Sequence, residues 1–287
     1  MFPARHFCPT GTIYPKPCDF LSLCPSGSVV HKSFQPIVIS VGLDLLLLLL
    51  YFYLKGKRLH IGHLKIDESE QLDLKPVIQM SLDTQDLCCF IPSGKIILDQ
   101  LSIHIPSSKM TLILGPSGSG KSTLIKVLTG QNQHYLGKIL INNQELDIAS
   151  FKKVVGLVPQ QDSLLQELTV YETILHSATV RLPASLNSRQ RRAHSMSIIK
   201  QLDLLHTKNQ FISTLSGGER RRVSIGVELV SNPSCLFLDE PTTGLDSASA
   251  LQLIRILEKM SNTVTIVCVL HQPRIELFRK YDYSFEF

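Results

Sequence analysis

None of the seven cysteines pairs with another at C-x-x-C spacing, which removes the usual zinc-ribbon and dithiol readings. Charge is also scarce. Asp, Glu, Lys and Arg make up only 18% of the 287 residues, and the net charge is a mild +5. No arginine-rich face is evident, so charge alone assigns no nucleic-acid partner. A cleaved signal peptide is disfavoured too: 36 residues precede the first hydrophobic run, and no small-x-small site follows it.

What the chain has in excess is apolar residues, at 44% with a mean hydropathy of +0.13. The excess is concentrated at 37–54, where 18 residues carry 13 Ile, Leu, Val or Phe and one charge, Asp44. As a helix this run would span roughly 27 Å, close to the thickness of a bilayer core. Its aliphatic residues favour insertion by about 4–8 kcal/mol against about 3 kcal/mol for the aspartate. Tyr51 and Tyr53 lie near one end. Lys55, Lys57 and Arg58 follow the run, whereas only Lys32 lies close before it. This asymmetry predicts a single transmembrane helix at 37–54, with residues 1–36 outside the cytosol and the rest inside. A buried helix of a soluble protein is the alternative. The head at 1–36 is rich in Pro and holds Cys8, Cys18 and Cys24. That texture suits a disulfide-stapled extracytoplasmic segment with one thiol left over; an unstructured tail is the alternative. Residues 55–78 mix charges of both signs and read as a cytoplasmic linker. Cys88, Cys89, Cys235 and Cys268 read as small buried hydrophobes in a reducing compartment.

From residue 79 onward, strand and helix patterns alternate. The segments 95–105, 110–115 and 153–158 read as strands, and 235–240 and 263–270 are short apolar runs rich in Val, Ile and Leu. Such runs suit strands buried on both faces of a parallel sheet. A helix opens at Ser122, and 161–230 is largely helical and more polar. The expectation is an α/β domain with a parallel sheet and a helical insertion at about 161–230.

Gly115, Pro116, Ser117, Gly118, Ser119, Gly120, Lys121 and Ser122, followed by Thr123, form a G-x-x-x-x-G-K-[ST] loop between a strand and a helix. Glycines let backbone N–H groups converge on phosphate, and the helix start adds a positive dipole. Lys121 would reach the β- and γ-phosphates, and Ser122 would offer its hydroxyl to Mg²⁺. Four apolar residues, 235–238, end in Asp239 and Glu240. A buried strand would deliver Asp239 to the metal and leave Glu240 at the tip as a general base for water.

Gly115–Ser122, Gln160, Leu215–Arg220, Asp239–Glu240, the Pro-Thr-Thr-Gly-Leu run ending in Asp246, and His271 occur in the order of an ATP-binding cassette (ABC) ATPase domain. The sequence resembles that family over about residues 79–280. The strings SGGERRRVSIGVELVSNPSCLFLDEPTTGLDS and HQPR look like its White-type G subfamily. The head and single apolar run resemble a branch with an N-terminal Cys-rich extension. The resemblance implies an α/β P-loop NTPase fold, with a RecA-like core and a helical signature subdomain, and ATP and Mg²⁺ as ligands, with Gln160 contacting metal and water alongside Ser122 and Asp239. Gln161 is adjacent, so either glutamine is available for that role. It implies that Leu215, Ser216, Gly217, Gly218 and Glu219 cap the ATP of a second ABC ATPase domain, in a homo- or heterodimer. Asp246 would cross the dimer interface, and His271 would hold the γ-phosphate and the water. Phe90 is a candidate for stacking on adenine. The nucleotide-binding domain at 79–287 is shorter at its end than the family pattern, and the family's multi-helix membrane domain is not in the sequence. The reading is therefore the ATPase half of a G-type half-transporter that exports a lipid or other hydrophobic substrate, with the membrane domain supplied elsewhere. A truncated interaction subunit and a soluble-type ABC ATPase stand as alternatives.

Overall fold

The structure is a computed structural model. It describes residues 6–7, 14, 16–17, 22–23, 32–33, 35–61, 79–90, 95–145, 154–271 and 278–287, with the side chains of 6–7, 16, 22–23, 32–33, 35–36 and 54–61 excepted. The chain divides into two compact units, Met1–Lys65 and Ile66–Phe287.

In the first unit, two short antiparallel pairings join His6–Phe7 to Lys16–Pro17 and Ser22–Leu23 to Lys32–Ser33. Cys8, Cys18 and Cys24 lie outside the described residues. Helix α1 follows at Gln35–Ile61. Its leucines are good helix formers, and so are the Lys and Arg residues beyond them. The helix therefore runs seven residues past Leu54 into the segment expected to be linker. Every described side chain from 37 to 53 is exposed, with Leu45 to Leu50 between 49% and 63%. Among the described residues no helix is long and apolar enough to cross a membrane. The expected span is thus helical, but the structure does not establish it as a crossing.

The second unit holds two sheets. Strands β1 (Leu82–Phe90), β2 (Ile96–Leu101), β3 (His104–Ile105), β5 (Tyr135–Ile141) and β6 (Gln144–Glu145) pair antiparallel in the order β6-β5-β1-β2, with β3 also on β1. The other sheet is parallel, with order β7-β8-β9-β4-β10. Its strands are β4 (Met110–Leu114), β7 (Val155–Val158), β8 (Cys235–Asp239), β9 (Thr265–Leu270) and β10 (Tyr283–Glu286). The five residues of β8 and the six of β9 are buried almost throughout, the pattern expected of strands covered on both faces. The antiparallel sheet was not expected. The run 95–105, expected as one strand, is two: it is interrupted at 102–103, and both parts pair antiparallel with β1.

Helices α2 (Lys121–Leu128) and α6 (Ser247–Met260) accompany the parallel sheet. The helical segment holds α3 (Val170–Arg181), α4 (Ser188–Gln201) and α5 (Gly217–Leu229). Each of these three begins with a reciprocal capping box: Thr169 with Glu172, Asn187 with Gln190, and Ser216 with Glu219. Each box satisfies two backbone N–H groups that the helix start leaves unpaired. One core gathers Leu112, Val158, Leu238 and Leu270 of the sheet with Ile174, Ile199, Val223 and Leu253 of the helices. A second joins Ile113, Phe237 and Val267 to Leu124 of α2 and to Leu82, Leu98 and Ile139 of the antiparallel sheet. Buried in this way, Cys235 and Cys268 have their thiols pushed up and stay unreactive.

Close packing of β5 on β1 depends on Gly137. Its φ is +96°, and a Cβ there would sit 2.4 Å from the Asp86 carbonyl oxygen and 2.6 Å from that of Gln85. Gly137→Ala is expected to destabilise the domain by about 1–3 kcal/mol, read as a lower denaturant midpoint at unchanged m-value. An unchanged midpoint would mean that the two strands separate without cost.

Candidate functional site

The strand register creates the site. Asp239 of β8 pairs with Val269 of β9, and Val269 pairs with Ile113 of β4. One or two residues later these strands release Glu240, His271 and the loop at Gly115 along one line. On the other flank Val158 of β7 pairs with Leu238, so Gln160 emerges opposite Glu240. Ligands of α/β sheets gather at such carboxyl ends.

The loop 115–120 joins β4 to α2. Gly118 and Gly120 hold φ values of +83° and +103°, open to glycine at no steric cost. At Gly120 a Cβ would also lie 3.1 Å from the Ile97 carbonyl oxygen. Lys121 opens α2 and is 4% exposed. Its ammonium donates to the carbonyl oxygens of Gly115 and Pro116, at 2.7 and 2.6 Å. Burial lowers its pKa, against the opposing pull of Glu240 and Asp239.

The Ser122 hydroxyl donates to Asp239 Oδ2 at 3.4 Å. Burial and then the neighbouring Glu240 raise the Asp239 pKa, while Ser122, Arg221 and Lys121 oppose the shift. Glu240 is held at φ +46°, the left-handed region that a glutamate rarely enters. It is fixed from three sides. Gln160 Nε2 donates to Oε2 at 2.7 Å, Thr243 Oγ1 donates to Oε2 at 2.9 Å, and His271 Nε2 lies 2.8 Å from Oε1. Gln160, rather than Gln161, makes the contact.

Lys95, Ile96, Ile97, Ser117, Gly118, Gly120, Lys121, Ser122, Thr123, Gln160, Asp239, Glu240 and His271 line one cleft of ≈530 Å³. Its apolar wall is Ile96 and Ile97, which carried no motif in the sequence. Phe90, half-exposed at the end of β1, is not among the lining residues. Ser122, Asp239 and the Gln160 amide supply hard oxygen donors beside the phosphate loop. Among the described residues no group of three or more His, Cys, Asp or Glu could hold a metal alone. A small oxygen-donor set of this kind fits Mg²⁺, which keeps water and phosphate in its shell.

Leu215, Ser216, Gly217, Gly218 and Glu219 are not part of the cleft. They form the start of α5, where Glu219 Oε2 accepts from the Ser216 hydroxyl at 2.6 Å and from its N–H at 2.9 Å. The Ser216 hydroxyl holds the Glu219 carboxyl below the usual range, with His206 adding to the effect. His206 Nε2 lies 3.3 Å from Glu219 Oε1, a partner the sequence did not suggest. Asp246 is exposed and caps α6, accepting from the N–H groups of Ala248 and Ser249 at 3.0 Å each.

A family profile described as "ABC transporter" matches residues 98–243, half of the chain. The chain belongs to the ABC transporter family. Its G-subfamily character is borne out by relatives. It is 41% identical over 191 residues to rat ATP-binding cassette sub-family G member 8, covering 63% of this chain and 28% of that protein. It is 33% identical to the Penicillium crustosum ABC-type transporter claG, over 98% of this chain and 43% of that protein. The chain thus spans less than half the length of these curated relatives. Among solved structures, cbiO1 of Clostridium perfringens, part of the transporter complex cbiONQ, matches with a TM-score of 0.67 at 27% identity, over 73% of this chain and 85% of that one. MJ1267, an ABC transporter cassette in its ADP conformation, gives a TM-score of 0.64 at 26% identity, over 73% and 88%. The α/β P-loop expectation holds, and this chain carries the ATP-hydrolysing domain of the family.

The pKa directions give the ABC domain a stability signature. Asp239 has a folded-state pKa above its ordinary value, so its favourable contribution is complete below about pH 3.9 and is lost as pH rises through the folded value. At neutral pH its charge therefore destabilises the nucleotide-free fold. Asp239→Asn is expected to raise Tm at pH 7 in EDTA, with the gain shrinking towards pH 4. An equal or lower Tm at pH 7 would show that the carboxylate is adequately solvated.

Proposed function

We propose that the chain binds Mg·ATP in this cleft and hydrolyses it with Glu240 as the general base, within an ATPase dimer that powers a G-type half-transporter. The observation carrying the reading is the clamp on Glu240. Gln160, Thr243 and His271 fix the carboxylate, and the parallel register sets it across from the phosphate loop. A base that is already oriented loses little on reaching the transition state.

The N–H groups of Gly115–Ser122 and the α2 dipole would receive the phosphates, and Lys121 would turn from the loop carbonyls to the β/γ oxygens. Bound Mg²⁺, held by Ser122, Asp239 and Gln160, would offset the phosphate charge. Gln160 and His271 would orient water for Glu240. Ile96 and Ile97 suit the base-proximal wall, a role first assigned to Phe90. The start of α5 does not line its own cleft, which supports its use on the ATP of a second ABC domain; Leu215–Glu219 and Asp246 would contribute there. The substrate reading of a lipid or hydrophobic molecule, and a membrane domain as partner, rest on the G-subfamily relatives alone. The apolar, fully exposed face of 37–53 supports a single bilayer-spanning helix at 37–54, with the head at 1–36 outside and residues 55–78 linking to the ATPase domain inside.

Glu240→Gln keeps shape and removes the base. It is expected to retain ATP affinity while hydrolysis falls by about 10²–10⁴, and to run as an ATP-trapped dimer on size exclusion. Near-normal turnover would overturn the assignment. For the membrane reading, the chain is expected to float with liposomes in a density gradient and a 37–54 deletion to stay at the bottom. Flotation of both would place the membrane contact elsewhere.

A further inference from the structure

Arg221 touches the backbone of the site, yet the sequence assigned it no role. It lies on α5, five residues beyond the signature serine, and is 4% exposed. A buried guanidinium is costly unless its donors are matched; here both terminal nitrogens are matched, by two separate segments, while Nε is buried without a partner. One terminal nitrogen donates to the carbonyl oxygens of Pro159 and Gln160, at 2.6 and 3.2 Å, and to Asp162 Oδ1 at 3.0 Å. The other donates to the Asp239 carbonyl oxygen at 2.7 Å. The fork therefore ties the backbone on which Gln160 sits to the backbone immediately before Glu240. Those are the two residues whose side chains bond each other at 2.7 Å.

We propose that Arg221 is a positioning residue for hydrolysis: its planar fork fixes the Gln160 loop against the end of β8, and so sets the distance between Gln160 and Glu240. Both ends of that distance hang from α5, whose first turn is the signature. The helix that would cap a partner's ATP is also the mounting of this chain's own water-orienting pair. Lysine cannot replace the fork, since a single ammonium has no rigid pair of nitrogens to span two backbones. The inference rests on the proposed roles of Gln160 and Glu240.

The test is a double-mutant cycle on the purified full chain, read by single-turnover and steady-state ATP hydrolysis, with thermal melting in parallel. Arg221→Lys is expected to lower kcat about 10–100-fold with KM within about threefold, the size of effect a misplacement near 1 Å produces. In a Gln160→Ala background the same substitution should cost less than about threefold more, because the pair it positions is already lost. A merely structural arginine would lower Tm equally in both backgrounds and multiply its kinetic loss in full; that result overturns the proposal, as does an unchanged kcat or a loss confined to KM. If Arg221→Lys does not fold, Asp162→Asn enters the same cycle. A smaller loss, absorbed by Gln160→Ala, supports the role, and a fully multiplicative or absent loss overturns it. Glu240→Gln runs alongside. A dead Glu240→Gln with an indifferent Arg221→Lys removes only the positioning role, whereas an active Glu240→Gln removes the underlying assignment and this inference with it.

Discussion

Parallel register is the constraint on which the site depends. The pairings Val158 with Leu238, Asp239 with Val269 and Val269 with Ile113 bring four strands to their ends together. A slip of one residue in any of them would turn its side chains to the opposite face and carry a functional group away from the line. The register is secured because Leu236, Phe237, Leu238, Ile266, Val267 and Cys268 are buried on both faces. A slip would exchange each side chain for a mismatched neighbour on the other buried face, at roughly 1–3 kcal/mol for each overpacked position. The chemistry is thus held by packing that takes no part in it.

How much of this was legible in the sequence depended on contact range. The phosphate loop, its strand and its helix are consecutive, so glycine spacing and a following apolar helix were enough. Asp239 and Glu240 were legible because a buried strand announces its own end. The capping boxes are local as well. By contrast, Arg221 reaches Pro159 across 62 positions, and nothing in a triple arginine tells that Arg221 and Arg222 are buried or that Arg221 makes this reach. The antiparallel sheet was missed for the same reason. β1 pairs with β5, some fifty residues away, and the run 95–105 shows no Gly or Pro where it breaks. In α1 the apolar stretch stopped at Leu54 while helix propensity did not, so hydropathy located the span but not the end of the helix.

The start of α5 shows how one segment can serve two demands. Ser216 and Glu219 close a capping box that every helix of this subdomain uses, yet the same serine is the residue the family resemblance assigns to a partner's phosphate. In the isolated chain its hydroxyl proton is committed to a carboxylate held below its usual pKa. Contact with phosphate would require the hydroxyl to re-pair, and the neighbouring anion would repel the ligand. His206, beside the other oxygen of Glu219, is suited to moderate that repulsion when protonated. Gly217 and Gly218 carry no such conflict, because backbone N–H groups at a helix start have no intrahelical acceptor.

The cleft concentrates unfavourable terms. Glu240 occupies a backbone region that costs a non-glycine residue of order 1–3 kcal/mol. Asp239 has a raised pKa and Lys121 a lowered one, each chiefly through burial. Strain of this kind persists only where surrounding structure over-determines it, and here the sheet register, the Val269 carbonyl that accepts from the Glu240 N–H at 3.0 Å, and the Arg221 fork all do so. Phosphate oxygens would give Lys121 a better acceptor than the loop's own carbonyls, and a cation would relieve the two adjacent carboxylates of each other. The left-handed backbone at Glu240 and the buried charges of Asp239 and Lys121 are thus costs that the surrounding packing and hydrogen bonds offset.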